Sequence, residues 1–497
     1  METINNLIYG FGICLQPANL FYCFTGVFVG TLVGVLPGIG TPGALALLIP
    51  ITVQIRPESA VIMLCGIMYG AMYGGSTTSI LVNIPGEAAS VITCVDGYVM
   101  ARKGRAGPAL GISAMGSFIG GTLSICGLLL FAPALSSFAL RFGPPEYFSL
   151  MVFSMAILIF ISGESMIKGM IMSVLGIALG TIGLDPMVGV NRFTFNLPSL
   201  MDGVGLVQAV IGLFGVSEIL ISLETYVKRD IYETEIKGLL PTLQDWKDSI
   251  FPIFRSTGIG FFLGTIPGIG VVLPTFLSYG LEKRISKDPS KFGKGFIAGV
   301  AAPETANNAA AGGTLVPMLS LGIPTGASSA IVLGALMIYG VQPGPLLIKE
   351  APQVFWGLVA SLYIGNIMLL ILNLPLIGLW VKLLKVPYYL LSVLILIFCL
   401  IGSYSINYSA DDVIIMVVFG LIGYIAKKAN FELSPMVFGL VLGPMLETAL
   451  RRSLVISNGS FGIFFTRPIS LVFIGITIIF FLWTVLYKKP TMVVDEG

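Results

Sequence analysis

Histidine is absent from this 497-residue chain, which removes the commonest metal ligand and general base from consideration. Charge is scarce as well. Only 10% of the residues are Asp, Glu, Lys or Arg, and the formal net charge is +2. Such a chain has no strong field of one sign, and no Lys/Arg pattern interleaved with aromatics points to nucleic acid. The six cysteines, Cys14, Cys23, Cys65, Cys94, Cys126 and Cys399, form no CxxC pair. They lie mostly in apolar segments and read as small buried hydrophobes rather than a disulfide framework or a transition-metal site. The opening Met-Glu-Thr-Ile-Asn-Asn lacks the basic run of a signal peptide, so the first apolar segment is expected to stay.

What is abundant is apolar sequence. Hydrophobic residues make up 56% of the chain, mean hydropathy is +0.95, and runs of membrane-spanning length recur from Phe21 to Tyr487. The chain therefore reads as an all-α polytopic membrane protein solvated by a lipid bilayer, with about a dozen transmembrane helices. Spans are expected near 21–52, 109–133, 146–162, 166–183, 205–224, 257–280, 354–380, 388–403, 411–426, 434–447 and 468–487. From Ala60 the chain is expected to re-enter the membrane, with the small polar stretch Tyr73–Ser79 ending at Asn83–Glu87 like a re-entrant hairpin.

Within this apolar background one motif occurs twice, Pro37-Gly38-Ile39-Gly40 and Pro267-Gly268-Ile269-Gly270, with Gly30 and Gly34 matching Gly260 and Gly264 upstream. Proline removes a helix hydrogen bond and glycine lowers the cost of leaving α geometry, so each copy is expected to break a membrane helix partway across. A second landmark follows each. Ile84-Pro85-Gly86-Glu87-Ala88-Ala89-Ser90 pairs with Ile323-Pro324-Thr325-Gly326-Ala327-Ser328-Ser329, and Gly107-Pro108 is echoed by Gly344-Pro345. Three landmarks in one order indicate two repeats, residues 1–225 and 256–497, joined by a polar segment at 226–255. Self-resemblance of Gly/Pro-rich membrane sequence is the competing explanation.

Placement of the basic residues suggests how the repeats are oriented. Arg102, Lys103 and Arg105 follow the second landmark of the first half, whereas Lys283 to Lys294 lie between the two landmarks of the second. Lys/Arg excess marks cytoplasmic loops, so equivalent loops would face opposite sides. That is the pattern of inverted-topology repeats, with broken helices and re-entrant hairpins meeting near the bilayer midplane. Parallel repeats remain the alternative.

A polar inventory surrounds the breaks. Pro37, Gly38, Gly40, Pro267, Gly268 and Gly270 supply unwound backbone, and Ser76, Thr77, Thr78, Asn83, Thr314, Thr325 and Ser328 supply hydroxyl and amide groups. These are the candidate substrate-binding residues. Half-helix N-termini suit a carboxylate, and no arginine lies in these motifs to form a guanidinium fork. Close helix packing is the competing use for small residues. Glu304 is taken as the one acid embedded in the motifs, with Asn307 and Asn308 at i+3 and i+4 and Thr305 beside them. Oxygens converging beside unwound backbone suit a hard cation, Na⁺ or H⁺, as coupling ion. The competing readings are hairpin capping by the asparagines and a structural pair between Glu304 and Lys294.

The repeated PGIG motif, Pro303-Glu-Thr-Ala-Asn-Asn-Ala-Ala and Gly322-Ile-Pro-Thr-Gly326 together resemble the large membrane subunit of the bacterial tripartite tricarboxylate transporters, over nearly the whole chain. The resemblance implies an inner-membrane permease that works with a small four-helix membrane subunit and a periplasmic solute-binding protein, moving carboxylates with a cation gradient. A stand-alone ion or solute channel is the alternative from another class, as is an orphan transporter for another small anion. Channels more naturally line a pore with charge rings, and none is visible. An enzyme would need a nucleophile and base or a metal constellation, which the chain does not offer.

Overall fold

The computed structural model describes residues 2–36, 40–161, 165–224, 238–384, 386 and 388–486. It is helical apart from one short β-hairpin that pairs Gly183–Leu184 with Asn191–Arg192. Among the described residues, 7 helices are long and apolar enough to cross a membrane, so the protein is a multi-pass membrane protein. The number is lower than the dozen expected from hydropathy, partly because other helices fall short in one property. Gly40–Thr52 and Met166–Gly180 are apolar but short, while Ala298–Leu321 is long and rich in Ala, Gly and Asn.

The first landmark is organised by close helix contact. Helix Pro17–Val35 lies along Pro57–Val82, a helix buried almost throughout. The contacts advance in register: a Cβ on Gly30 would sit 2.4 Å from the Ile67 carbonyl oxygen, and one on Gly34 2.2 Å from that of Ala71. Numbers rise together, so these helices run parallel. The second half repeats the arrangement, with Gly260 against Ala306 and Gly264 against Ala310, each 2.4 Å from a carbonyl oxygen by the same measure. Glycine at these positions lets backbones approach as they do in small-residue membrane interfaces.

Parallel packing changes what the PGIG motifs do. Helix Leu243–Gly264 and helix Val272–Ile285 face each other in antiparallel order, with the Ser256 and Ser278 hydroxyls 2.6 Å apart and Arg255 clasping the Glu282 carboxylate at 2.7 and 2.6 Å. The motif between them is the tip of a hairpin, turned by Gly268 at φ +88 and Gly270 at φ +66. In the first half, residues 53–56 alone connect the end of Gly40–Thr52 to the start of Pro57–Val82. Helix 40–52 must therefore return to the level where helix 17–35 began. Pro37 and Gly38 lie outside the described residues; Gly40 opens the returning helix at φ +64. The helices flanking each motif thus run in opposite directions rather than as two parts of a single crossing. The re-entrant elements are the PGIG hairpins, whereas the Tyr73–Ser79 stretch completes an uninterrupted helix that ends at Asn83 in the left-handed region.

The equivalent long helices of the two halves, 57–82 and 298–321, cross in opposite directions. Ser76 meets Glu304, while Tyr69 faces Gly312. On one face of the molecule the two basic loops touch, the Lys103 ammonium donating to the Lys294 carbonyl at 2.6 Å. The halves are locked there by Asp96 of helix Val91–Arg102. Its carboxylate accepts from the backbone N–H groups of Gly293, Gly295 and Phe296 at 2.7–3.0 Å and from the Tyr279 hydroxyl at 2.8 Å. Four cysteines are buried, whereas Cys126 is exposed on an apolar helix face. The polar segment before the second half is helical from Leu243 onward.

Single cysteines at Lys103 and Lys291 are expected to react with a membrane-impermeant maleimide from the same side, and one at Glu58 only from the opposite side. Labelling of positions 58 and 291 from one side would contradict the antiparallel crossing.

Candidate functional site

A cavity of about 530 Å³ lies where the two hairpin tips approach each other. Gly40, Thr41 and Pro42 come from the first tip and Gly268 to Val272 from the second. Between them stand two turns of the same construction. In one, the Ser90 hydroxyl accepts from the Glu87 backbone N–H at 3.3 Å and donates to the Glu87 carbonyl at 2.9 Å. In the other, the Ser329 hydroxyl accepts from the N–H groups of Thr325 and Gly326 at 2.9 and 3.0 Å and donates to the Gly326 carbonyl at 2.9 Å. Each serine thus caps a helix that starts beside the cavity.

The second turn offers donors. Helix Ala327–Ile338 begins at Gly326, and its first N–H groups have no partner within the helix. Ala327 and Ser328 line the cavity, and beside them the Thr325 hydroxyl is buried without a hydrogen-bond partner. The first turn offers an acceptor instead. Glu87, aligned with Gly326, is buried against the cavity wall, one carboxylate oxygen 2.6 Å from the Asn307 amide nitrogen and the other 2.9 Å from the Thr41 hydroxyl. Lys427, Glu218 and Phe431 also line the cavity, with Lys427 paired to Glu218. Phe214 and Glu218 belong to the span Leu206–Glu224, which widens to π geometry over Ile211–Val216. Such bulges re-aim side chains at functional sites.

Of the residues singled out from sequence, Gly40, Gly268, Gly270, Thr314, Thr325 and Ser328 line this cavity. Others lie behind it. Ser76 is buried and donates to Glu304, Thr77 is buried, and Thr78 donates to the Gly75 carbonyl at 2.9 Å. Asn83 is an exposed helix cap, and Pro267 is buried within its tip.

Glu304 is surrounded by hydroxyls: Ser76 and Thr93 bond its carboxylate, and Ser113 reaches it at 3.2 Å. Its described hydrogen-bond partners come from three different helices, and Lys294 is not among them. Thr305 donates to the Ala301 carbonyl at 2.7 Å, and Asn308 to the Glu304 carbonyl at 3.3 Å. Asn307 turns away from this knot toward Glu87, and its own amide oxygen has no partner, like that of Asn308. Glu304 is therefore not the one acid in the motifs; Glu87 is a second, and it faces the cavity. Its signal was present in the repeat alignment, as an acid opposite a glycine. Thr41, Glu218 and Lys427 carry no such signal, because only the tertiary fold brings them here.

The profile of the family described as "Tripartite tricarboxylate transporter TctA family" matches residues 20–438. An uncharacterized 52.8 kDa protein of Agrobacterium vitis is 46% identical over the full length of both chains. A second uncharacterized protein of that organism is 48% identical over 220 residues, 44% of this chain and 91% of its own. An uncharacterized protein of Methanocaldococcus jannaschii is 25% identical over 438 residues, covering 86% of this chain and 98% of its own. No solved structure matches.

Replacing Glu304 by Leu would leave the Thr93 and Ser113 hydroxyls without their acceptor in the interior, each at a cost of roughly 1–3 kcal/mol, while Ser76 keeps the Met72 carbonyl at 3.1 Å. The thermal unfolding midpoint of purified Glu304→Leu is expected to fall well below that of the wild type, with Glu304→Gln in between. Equal midpoints for all three would show that the hydroxyl knot adds nothing to stability.

Proposed function

The chain belongs to the tripartite tricarboxylate transporter TctA family, and from that membership we propose that it is the permease subunit of a binding-protein-dependent secondary transporter. It imports tri- or dicarboxylates across the bacterial inner membrane, driven by a cation gradient, with Na⁺ as the coupling ion. A small four-helix membrane subunit and a periplasmic solute-binding protein complete the assembly.

One observation carries the carboxylate reading: the free first-turn N–H groups at Ala327 and Ser328, with the unpartnered Thr325 hydroxyl, are gathered at one wall of the cavity. A helix N-terminus of this kind stabilises anions through its dipole and its unpaired donors. Lys427 also lines the cavity, paired with Glu218. The antiparallel long helices support inverted-topology repeats, in which rocking of one half against the other exposes the shared site alternately. Capture of dilute solute falls to the binding protein, since the longest polar stretch, Lys228 to Arg255, is far shorter than a two-lobed domain.

Reconstitution into proteoliposomes tests the proposal, with a panel of mono-, di- and tricarboxylates, with and without a Na⁺ gradient and the binding protein. Uptake of a multiply charged carboxylate is expected to be saturable, gradient-driven and weak at low solute without the binding protein. Thr325→Ala or Ser328→Ala should raise the half-saturating concentration by roughly tenfold, the equivalent of one hydrogen bond of about 1–1.5 kcal/mol. Non-saturable flux that ignores the gradient would favour a channel, and high-affinity transport by the isolated chain would refute dependence on a binding protein.

A further inference from the structure

The two capped turns are alike in construction, but only the first carries an acid. Where the second half places Gly326, the first places Glu87, a carboxylate 8% exposed at the cavity wall. No lysine or arginine is among its described partners, which are the Asn307 amide and the Thr41 hydroxyl. An intramembrane acid without a counter-charge is costly and marks a place where a cation binds or passes. A second feature points the same way. The Asn307 amide oxygen is buried and has no hydrogen-bond donor, although its nitrogen is engaged by Glu87. Glu87 and Thr41 thus bring a carboxylate and a hydroxyl to one wall, and Asn307 stands directly behind Glu87 with an amide oxygen that has no partner. Glu87 is held in place from behind, because its Cγ packs over Gly75, where a Cβ would lie 2.9 Å away.

We propose that Glu87, Thr41 and Asn307 form the Na⁺ site, facing the anion-binding turn at Thr325–Ser329 across the same cavity. This rests on the reading of the protein as a cation-coupled carboxylate permease and assigns the coupling ion its place. Hard monovalent cations are held by several neutral or anionic oxygens that replace hydration water. Glu304 is set apart from this site because it does not line the cavity, whereas Glu87 does; three hydroxyls hold the Glu304 carboxylate in the interior. Asn307 lies one turn further along the same helix and bonds Glu87 instead. The arrangement also supplies the coupling. An uncompensated Glu87 repels a carboxylate in the low-dielectric cavity, and Na⁺ on Glu87 removes that repulsion. Each ligand then raises the affinity for the other by the same factor.

Na⁺ binding can be read without any carboxylate. The full chain, purified in nanodiscs, is heated in NaCl and in choline chloride at matched ionic strength. Wild type is expected to unfold at a higher temperature in NaCl, because an ion that binds only the folded state stabilises it. Glu87→Gln should abolish the difference, Thr41→Ala should raise the Na⁺ needed for half the shift by about tenfold, as expected for one lost ligand, and Glu304→Gln should retain the shift. A second readout uses uptake in proteoliposomes, where Glu87→Gln should transport at a rate that no longer responds to Na⁺. A folded Glu87→Gln that keeps the full sodium shift overturns the site, as does loss of the shift in Glu304→Gln alone. A sodium shift without carboxylate uptake would sink the transport reading and leave the ion site standing; uptake without a sodium shift would do the reverse.

Discussion

Backbone groups released at a Pro-Gly turn cannot face lipid, since nothing in hydrocarbon accepts their hydrogen bonds. That constraint organises the molecule. Two hairpins must end inside the protein, so their tips are sheltered by long helices with little access to lipid, and the shelter depends on glycines spaced for close parallel contact. Gly30 and Gly34 on one side, and Gly260 and Gly264 on the other, let the outer helices press onto the 57–82 and 298–321 helices. Because the long helices cross in opposite directions, the two tips meet, and the space left between them is the cavity.

The same packing separates the polar groups into those that hold the fold and those that face the site. Glu304 with Ser76, Thr93 and Ser113, and Asp96 with its three backbone donors, join elements from both halves of the chain. Glu87, Thr325 and Ser328 reach the cavity instead. A repeat would make the two turns equal, but they differ at three positions: Glu87 in place of Gly326 puts a carboxylate at one wall, and Thr325 and Ser328 in place of Gly86 and Ala89 put hydroxyls at the other. A cavity polarised in that way is suited to taking up an anion and a cation together.

Much of this was legible beforehand. Composition set the membrane class, and the Gly/Pro landmarks pointed to the segments where the helices flanking the cavity begin and end. The same motifs marked both tips and the Thr325–Ser329 turn. Three things were not legible, each for a physical reason. Proline and glycine signal that a helix ends, but not whether the chain continues or turns back; that is decided by Gly34 meeting Ala71 and Ser256 meeting Ser278, contacts far apart in sequence or across the turn. The i, i+3, i+4 spacing of Glu304, Asn307 and Asn308 puts them on one helical side, yet three hydroxyls from other helices claim Glu304 and only Asn307 turns to the cavity wall. Lys427 and Glu218 lie outside the Gly/Pro landmarks, so no local pattern announces them.

The central claim is that both ligands bind between the two hairpin tips. A cryo-EM map of the protein in nanodiscs, with Na⁺ and the carboxylate that it takes up most readily, tests this most directly. Carboxylate density should rest on the Ala327 and Ser328 backbone at the start of helix 327–338, with a separate ion peak among Glu87, Thr41 and Asn307. Density for the carboxylate outside this cavity, or an ion peak within the Glu304 hydroxyl knot, would contradict the account.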